Sequence, residues 1–290
     1  MKNTRSLERA LGDFTRARLP RGLADLAMFV LKQGWACLFG FLMLAGLLLT
    51  DRFWPDDAAL HRYDLLFLYA LTLQVGFLLF RLETLTEAKV ILLFHLTGTA
   101  MELFKVNAGS WAYPEPAVLQ IHGVPLFSGF MYAAVGSYMA RVIRIFDMKF
   151  APYPPFWMTL ALAVAIYVNF FAHHYLPDAR YVLMALTLVL YGRTRVWFTL
   201  NRTRRWMPLP LAAFLSSIFL WIAENIGTAT NTWLYHGQTT LDLVRLSKMG
   251  SWYLLLYVSF ATVTLVLRDA LSRTPQHDVT APAPAPQATR

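Results

Sequence analysis

The chain has 290 residues, of which 57% are hydrophobic, 15% aromatic and only 15% charged. A soluble domain carries roughly 25% charged residues, so this composition excludes an ordinary water-soluble enzyme and points to an integral membrane protein. The formal charge of +9 does not imply a nucleic-acid partner, because in a membrane protein an excess of Lys and Arg records topology.

Residues 1–25 form a basic segment in which Leu7, Ala10, Leu11 and Phe14 share a helical face beside Arg5, Arg9 and Arg16. That is the pattern of a helix lying on the membrane surface. Eight apolar stretches follow, at 26–49, 62–80, 88–107, 124–145, 156–176, 179–198, 208–228 and 249–268. Several approach or exceed the roughly 18 apolar residues that cross a bilayer. The first shows no small-residue cleavage site and is expected to be a retained signal-anchor. It holds Cys37, the single cysteine, which excludes an intrachain disulfide and a cysteine-pair zinc site. In the sixth, Arg193 and Arg195 interrupt the apolar run, and a short span with snorkelling arginines is expected. The tail over 272–290 is Pro/Ala-rich and expected to be disordered.

Eight spans place both termini on one side. Of the 26 Lys and Arg residues, only Arg52, Arg62, Lys105, Arg180, Arg245 and Lys248 fall on the opposite side. The positive-inside rule therefore makes both termini cytoplasmic.

Comparison of the chain with itself at a shift of 122 residues places Glu102, Trp111 and Tyr113 on Glu224, Trp233 and Tyr235, and Pro55-Asp56 on Pro177-Asp178. Arg62-Tyr63 meets Arg180-Tyr181 if the first loop is four residues longer. Gly129 and Tyr132 match Gly250 and Tyr253 after a one-residue slip. The expected fold is thus all-α, with about eight transmembrane helices as two parallel four-helix repeats, 26–149 and 150–271. An even number of spans per half relates them by an axis along the membrane normal.

Glu102 and Glu224 then lie at one depth, facing the pseudo-twofold centre. Ionisable groups inside a span are costly and mark function by default. Glu102 has a local explanation in Lys105, three residues on and able to pair with it on one helix face; Glu224 has Gly227 at that position. A carboxyl in an apolar site can serve as a proton donor, or share a proton with a second carboxyl. The alternative is structural hydrogen bonding between the halves. His95 lies seven residues before Glu102 and shares its helix face. It is either a packed core histidine or part of a polar cavity.

Trp111, Tyr113, Trp233 and Tyr235 are expected as interface anchors, with ligand contact as the alternative. Asn225 is a further polar group able to bind a substrate. Gly129, Ala133, Gly136 and Ala140 form a small-residue face for close helix approach. Around it, Phe130, Tyr132 and Tyr138 and, in the other half, Trp252, Tyr253 and Tyr257 could line an aromatic cavity, with ordinary packing as the alternative. Asn169, His173 and His174 close the fifth span, but no H-E-x-x-H or comparable spacing accompanies them. No metal is expected.

The combination HLTGTAMELFKVNAGSWAYPEP followed by GVPLFSGFMYAAVGSYMAR resembles the bacterial integral-membrane family catalogued as domain of unknown function 817, over nearly all of 26–271. That resemblance implies a multi-span protein of the bacterial inner membrane and carries no activity with it. A partial likeness, over Glu102, Gly109, Trp111, Tyr113, Gly123 and Pro125, is to carotenoid hydratases and membrane lycopene cyclases. It implies acid-initiated chemistry on polyene double bonds. The cyclases' Pro-x-Glu-Glu element is absent, since Tyr-Pro-Glu-Pro at 113–116 has only Glu115.

Three functions remain open. One is an enzyme working on an isoprenoid or other lipophilic substrate without a cofactor, with Glu102 or Glu224 as general acid and His95 orienting or receiving the proton. The others are a proton-coupled carrier and a non-catalytic membrane scaffold. Membrane lipids are the expected surroundings in all three.

Overall fold

The computed structural model describes residues 10–15, 17–55, 57–172, 175–200 and 203–272. Its helices are α1 (Arg21–Ala36), α2 (Leu38–Phe53), α3 (Arg62–Leu79), α4 (Leu85–Asn107), α5 (Phe127–Ile145), α6 (Phe156–Ala172), α7 (Arg180–Tyr191), α8 (Leu209–Ala229) and α9 (Ser247–Val266). Each of the eight expected stretches contains helix. Three helices, α3, α8 and α9, are long and apolar enough to cross a membrane, and α1 with α2 makes a fourth if the pair is one span bent by 66°. Large apolar side chains such as Leu49, Leu92, Val164, Val189 and Phe219 stay exposed on the outer helix faces. An exposed apolar surface of that extent suits lipid and not water, and the chain reads as a membrane protein.

The bend in the first stretch has a local cause. The last turn of α1 leaves backbone carbonyls without helical partners, and the Arg141 guanidinium of α5 donates to one of them, Trp35 O, at 2.7 Å. Arg141 is fully buried there. Lys32 ties the same end of α1 to Thr199 O at 3.2 Å.

The expectation of an all-α chain is corrected by three small antiparallel sheets. β1 (Trp111–Ala112) pairs with β7 (Leu234–Tyr235), β2 (Gln120–Ile121) with β3 (Val124–Pro125), and β5 (Arg195–Leu200) lies between β4 (Lys149–Ala151) and β6 (Thr203–Pro208). The expected sixth span, 179–198, is consequently not one helix. α7 ends at Tyr191 after 12 residues, about 18 Å of rise against a hydrocarbon core of about 30 Å. Beyond it, RVWFTL is rich in residues that favour strands, and TRRWMP pairs with it. Arg195 does not snorkel from a helix but covers the Trp206 ring of the facing strand at 4.1 Å.

α5 is the central helix of the first part, packing on α1, α2, α3 and α4, and α9 packs on α6, α7 and α8. The two touch each other. α4 starts on a capping box, Thr84 Oγ1 accepting from Glu87 N at 3.2 Å and Glu87 Oε2 from Thr84 N at 2.7 Å. Glu87 also holds Arg144 of α5 at 2.6 Å. The expected small-residue face of α5 is what lets α4 approach. A Cβ on Gly136 would sit 2.7 Å from the Phe94 ring, and one on Gly129 2.5 Å from His95 and Thr99.

Residues 10–15 are helical, with Leu11 and Phe14 exposed. Leu7, Arg5, Arg9, Arg16, Asp56, His173, His174 and the tail over 273–290 lie outside the described residues.

Gly136→Ala is expected to lower stability by about 1–3 kcal/mol through overpacking. Gly76→Ala, whose Cβ would meet only Phe80 at 4.0 Å, should stay within about 0.5 kcal/mol of the parent or gain slightly. Unfolding in detergent measures both, and equal stability of the two would refute this packing account.

Candidate functional site: two buried glutamates on one cavity

α4 and α8 each end five residues beyond their glutamate, at Asn107 and Ala229. The chain then turns and runs back as β1 or β7. After α4 the turn needs Gly109 with φ of 67°, a left-handed conformation that glycine adopts without strain. The return brings the following Trp and Tyr down onto the carboxylate. Glu102 Oε2 accepts from Trp111 Nε1 at 2.8 Å and Tyr113 OH at 2.9 Å, and Oε1 from Tyr132 OH of α5 at 2.6 Å. Glu224 Oε2 accepts from Tyr235 OH at 2.5 Å and from Trp233 Nε1 at 3.4 Å. Both carboxylates are buried.

β1 and β7 pair with Trp111 opposite Tyr235 and Ala112 opposite Leu234. The register is symmetric, each Trp facing the other element's Tyr direction, and the Trp111 and Tyr235 rings meet edge to face at 5.9 Å. Burial, and then the adjacent glutamate, hold the Tyr113 and Tyr235 phenols well above their ordinary pKa. Both phenols therefore keep their protons and remain donors.

The surroundings of the two glutamates differ where the sequences do. Lys105 does not pair with Glu102: its ammonium donates to Phe170 O at 2.5 Å and lies over the Phe170 ring at 4.0 Å. At the corresponding Gly227 the space is taken by Trp233, whose ring would meet an added Cβ at 2.1 Å.

Glu102, Glu224, Trp111, Tyr113, Trp233, Tyr235 and Tyr132 all line one cavity of about 1200 Å³. It runs past apolar side chains of α2, α5, α8 and α9 toward Phe29, Val196 and Met207 beside the three-stranded sheet. Three expected site residues point elsewhere. The His95 ring packs on Phe130 at 4.6 Å, and its Nδ1 is buried without a hydrogen-bond partner. Asn225 spends its amide on backbone, donating to Trp221 O at 2.7 Å and accepting from Val244 N at 2.9 Å. The Tyr253 hydroxyl lies 3.0 Å from Thr187 Oγ1.

Of the aromatics expected around the small-residue faces, Trp252 lines the cavity and lies obliquely near Tyr132 at 6.5 Å. Reasoning from sequence missed the buried Arg62, which holds Glu115 at 2.5 Å and Thr232 Oγ1 at 3.2 Å. Arg62 and Arg180 both open a helix, yet the tyrosines beside them part company. Tyr63 is buried and donates to Thr232 O at 2.9 Å, while Tyr181 is exposed. Among the described residues, no group of three His, Cys, Asp or Glu side chains could hold a metal ion.

Tyr113→Phe leaves Glu102 the short bonds from Trp111 and Tyr132, whereas Tyr235→Phe takes from Glu224 its shortest bond. A hydrogen bond to a charged group contributes about 1.5–3 kcal/mol. Tyr235→Phe is therefore expected to cost more stability than Tyr113→Phe in thermal unfolding, and the reverse order would contradict these bonding patterns.

Comparison with known proteins returns a match over residues 25–260 to the family described as "Protein of unknown function (DUF817)". The "Uncharacterized protein YoaT" of Bacillus subtilis (strain 168) is 42% identical over 244 residues, which is 84% of this chain and 92% of that protein. No solved structure matches. On the family match and on that identity, the chain belongs to the DUF817 family.

Proposed function

We propose that the protein is a multi-pass enzyme of the bacterial inner membrane, in which Glu102 and Glu224 perform acid–base chemistry on a long lipophilic substrate. The observation that carries this is the placing of both carboxyls on one mostly apolar cavity of about 1200 Å³. A pocket for a drug-sized ligand is about 300–1,000 Å³, so this one suits a long chain. In such surroundings a carboxyl next to a tyrosine hydroxyl is equipped to deliver a proton, and a double bond in an isoprenoid chain is a group that could receive it. The faces of Trp111, Tyr132 and Trp252 would meet the positive charge that results. His95, packed on α5, would act only through the helix that carries Glu102.

The same proposal holds the chain to be two parallel four-span repeats, 26–149 and 150–271, with cytoplasmic termini. It is supported by the like bonding of Trp and Tyr to each glutamate and by the symmetric β1–β7 register. The helical starts at Arg62 and Arg180 and the small number of basic residues on the outer side support it further.

Two experiments test these statements. Organic extracts of the purified protein and of the Glu102→Gln/Glu224→Gln double variant, compared by mass spectrometry, should differ in a lipophilic compound that only the parent converts. Identical extracts would sink the enzyme, and a proton-dependent solute flux lost in the same variant would replace it with a carrier. For topology, single cysteines at the exposed Val118 and Thr86 are introduced on a Cys37→Ala background. Val118→Cys should react with an impermeant maleimide in intact cells, and Thr86→Cys only after permeabilisation. The opposite pattern would overturn the orientation.

A further inference from the structure

The three-stranded sheet has two unlike faces. Successive residues of a strand point to opposite sides. The register sets Arg195 between Ala151 and Pro208, and Trp197 between Lys149 and Trp206. On one face Val196, Phe198 and Met207 belong to the apolar core. On the other, Arg195, Trp197 and Trp206 line a second cavity of about 450 Å³, together with Arg193 from the turn after α7. Among the described residues no Asp or Glu lines it.

Both arginines are open to a ligand. They are exposed, and among the described residues neither side chain makes a hydrogen bond or an ion pair. Arg195 lies over the Trp206 ring at 4.1 Å, and a guanidinium stacked on a ring keeps its edge donors for an anion. Trp197 is only 2% exposed and its Nε1 has no hydrogen-bond partner, although a buried donor left unmet is costly. Lys149 and Arg204 stand on the same face but are engaged. Lys149 donates to Asp269 O at 2.7 Å, and Arg204 lies over the Trp197 ring at 5.7 Å. Two guanidinium groups beside an unmet indole N–H, with no carboxylate among them, suit a phosphate group.

The surroundings point to the source of that phosphate. Arg193 follows the last turn of α7, where Leu188 and Val189 are exposed at 56% and 80%. Trp206 is exposed as well, and tryptophan gathers at the level of lipid headgroups. A phosphate that carries acyl chains meets both the cavity and the apolar side of α7, whereas a free phosphate meets the cavity alone.

We propose that the cavity between the sheet and the end of α7 binds the phosphate head of an anionic membrane phospholipid, with Arg193 and Arg195 on the phosphate and the acyl chains along the exposed side of α7. The site lies on the face of the sheet away from the glutamate cavity, and it does not depend on the acid–base reading. A choline head brings its own cation to the arginines, so a head with net negative charge is preferred.

The purified protein in neutral detergent is titrated with dioleoyl phosphatidylglycerol, dioleoyl phosphatidylcholine and inorganic phosphate, and bound lipid is read by native mass spectrometry. Phosphatidylglycerol should bind at least about tenfold more tightly than phosphatidylcholine, as expected for one charge-assisted contact. Arg193→Gln/Arg195→Gln should abolish that preference. Arg193→Gln breaks no bond within the chain, so it reports on the site even where the double variant folds poorly, and it should weaken the preference at least about threefold. Arg81→Gln/Lys89→Gln removes two exposed cations elsewhere and should leave the preference intact. Equal binding of the two lipids, a preference that survives loss of both arginines, or an equal loss in the Arg81/Lys89 variant would overturn the proposal. Inorganic phosphate displacing the lipid at equal concentration would also overturn it, by showing a free-anion site.

Discussion

A carboxylate taken out of water must be met by donors, because burying it unpaired costs far more than any single packing contact returns. This chain buries two, Glu102 and Glu224, near the ends of α4 and α8, and the architecture around the cavity follows from satisfying them. Each following segment has to turn sharply and run back. Each return strand carries an indole and a phenol to the glutamate it left behind. The two strands, held at one level by like bonds, then pair with each other as β1 and β7. Removing the carboxylates would take away the reason for both turns.

The helices obey a second constraint, close approach. Gly98 faces the Tyr132 ring, where a Cβ would sit 2.6 Å away, so glycine on α4 lets Tyr132 of α5 reach Glu102. Gly227 does the same for Trp233. Small residues therefore serve the site directly as well as the packing. At the other end of α5, Glu83 accepts from Gln74 at 2.8 Å and from Ser137 at 2.5 Å, and Glu87 holds Arg144. The charged groups of α4 and α5 thus gather at the two ends of the helix pair.

Much of this was legible before any coordinates. The spacing Glu-x8-Trp-x-Tyr, found twice, singled out glutamates and aromatics that bond one another in the structure. The role first assigned to the aromatics, anchoring at the membrane interface, turned out to be incomplete: they are the donors that make burial of the glutamates tolerable. Helical spacing alone misplaced other residues. His95 shares a face with Glu102, but that face is wide enough to send one side chain to the cavity and the other into the α5 interface. Asn225 adjoins Glu224 in sequence and is turned by about 100° from it, toward the loop whose backbone it binds. The sixth stretch was misjudged because apolarity was weighed without the β-branched and aromatic content of RVWFTL, which pairs as a strand.

By itself the sequence determined composition and pattern: a membrane protein, eight helical stretches, a small-residue face on α5, and two glutamates followed at fixed distances by Trp and Tyr. These are local properties, set by hydropathy, propensity and spacing. Only the tertiary structure decided which donor meets which carboxylate, that Trp252 and not Tyr253 joins the cavity, and that Arg141 of α5 meets the end of α1. Such facts depend on where the chain returns after each turn, and on which side chains fill the space between helices distant in sequence. Period and composition along a single segment cannot contain either.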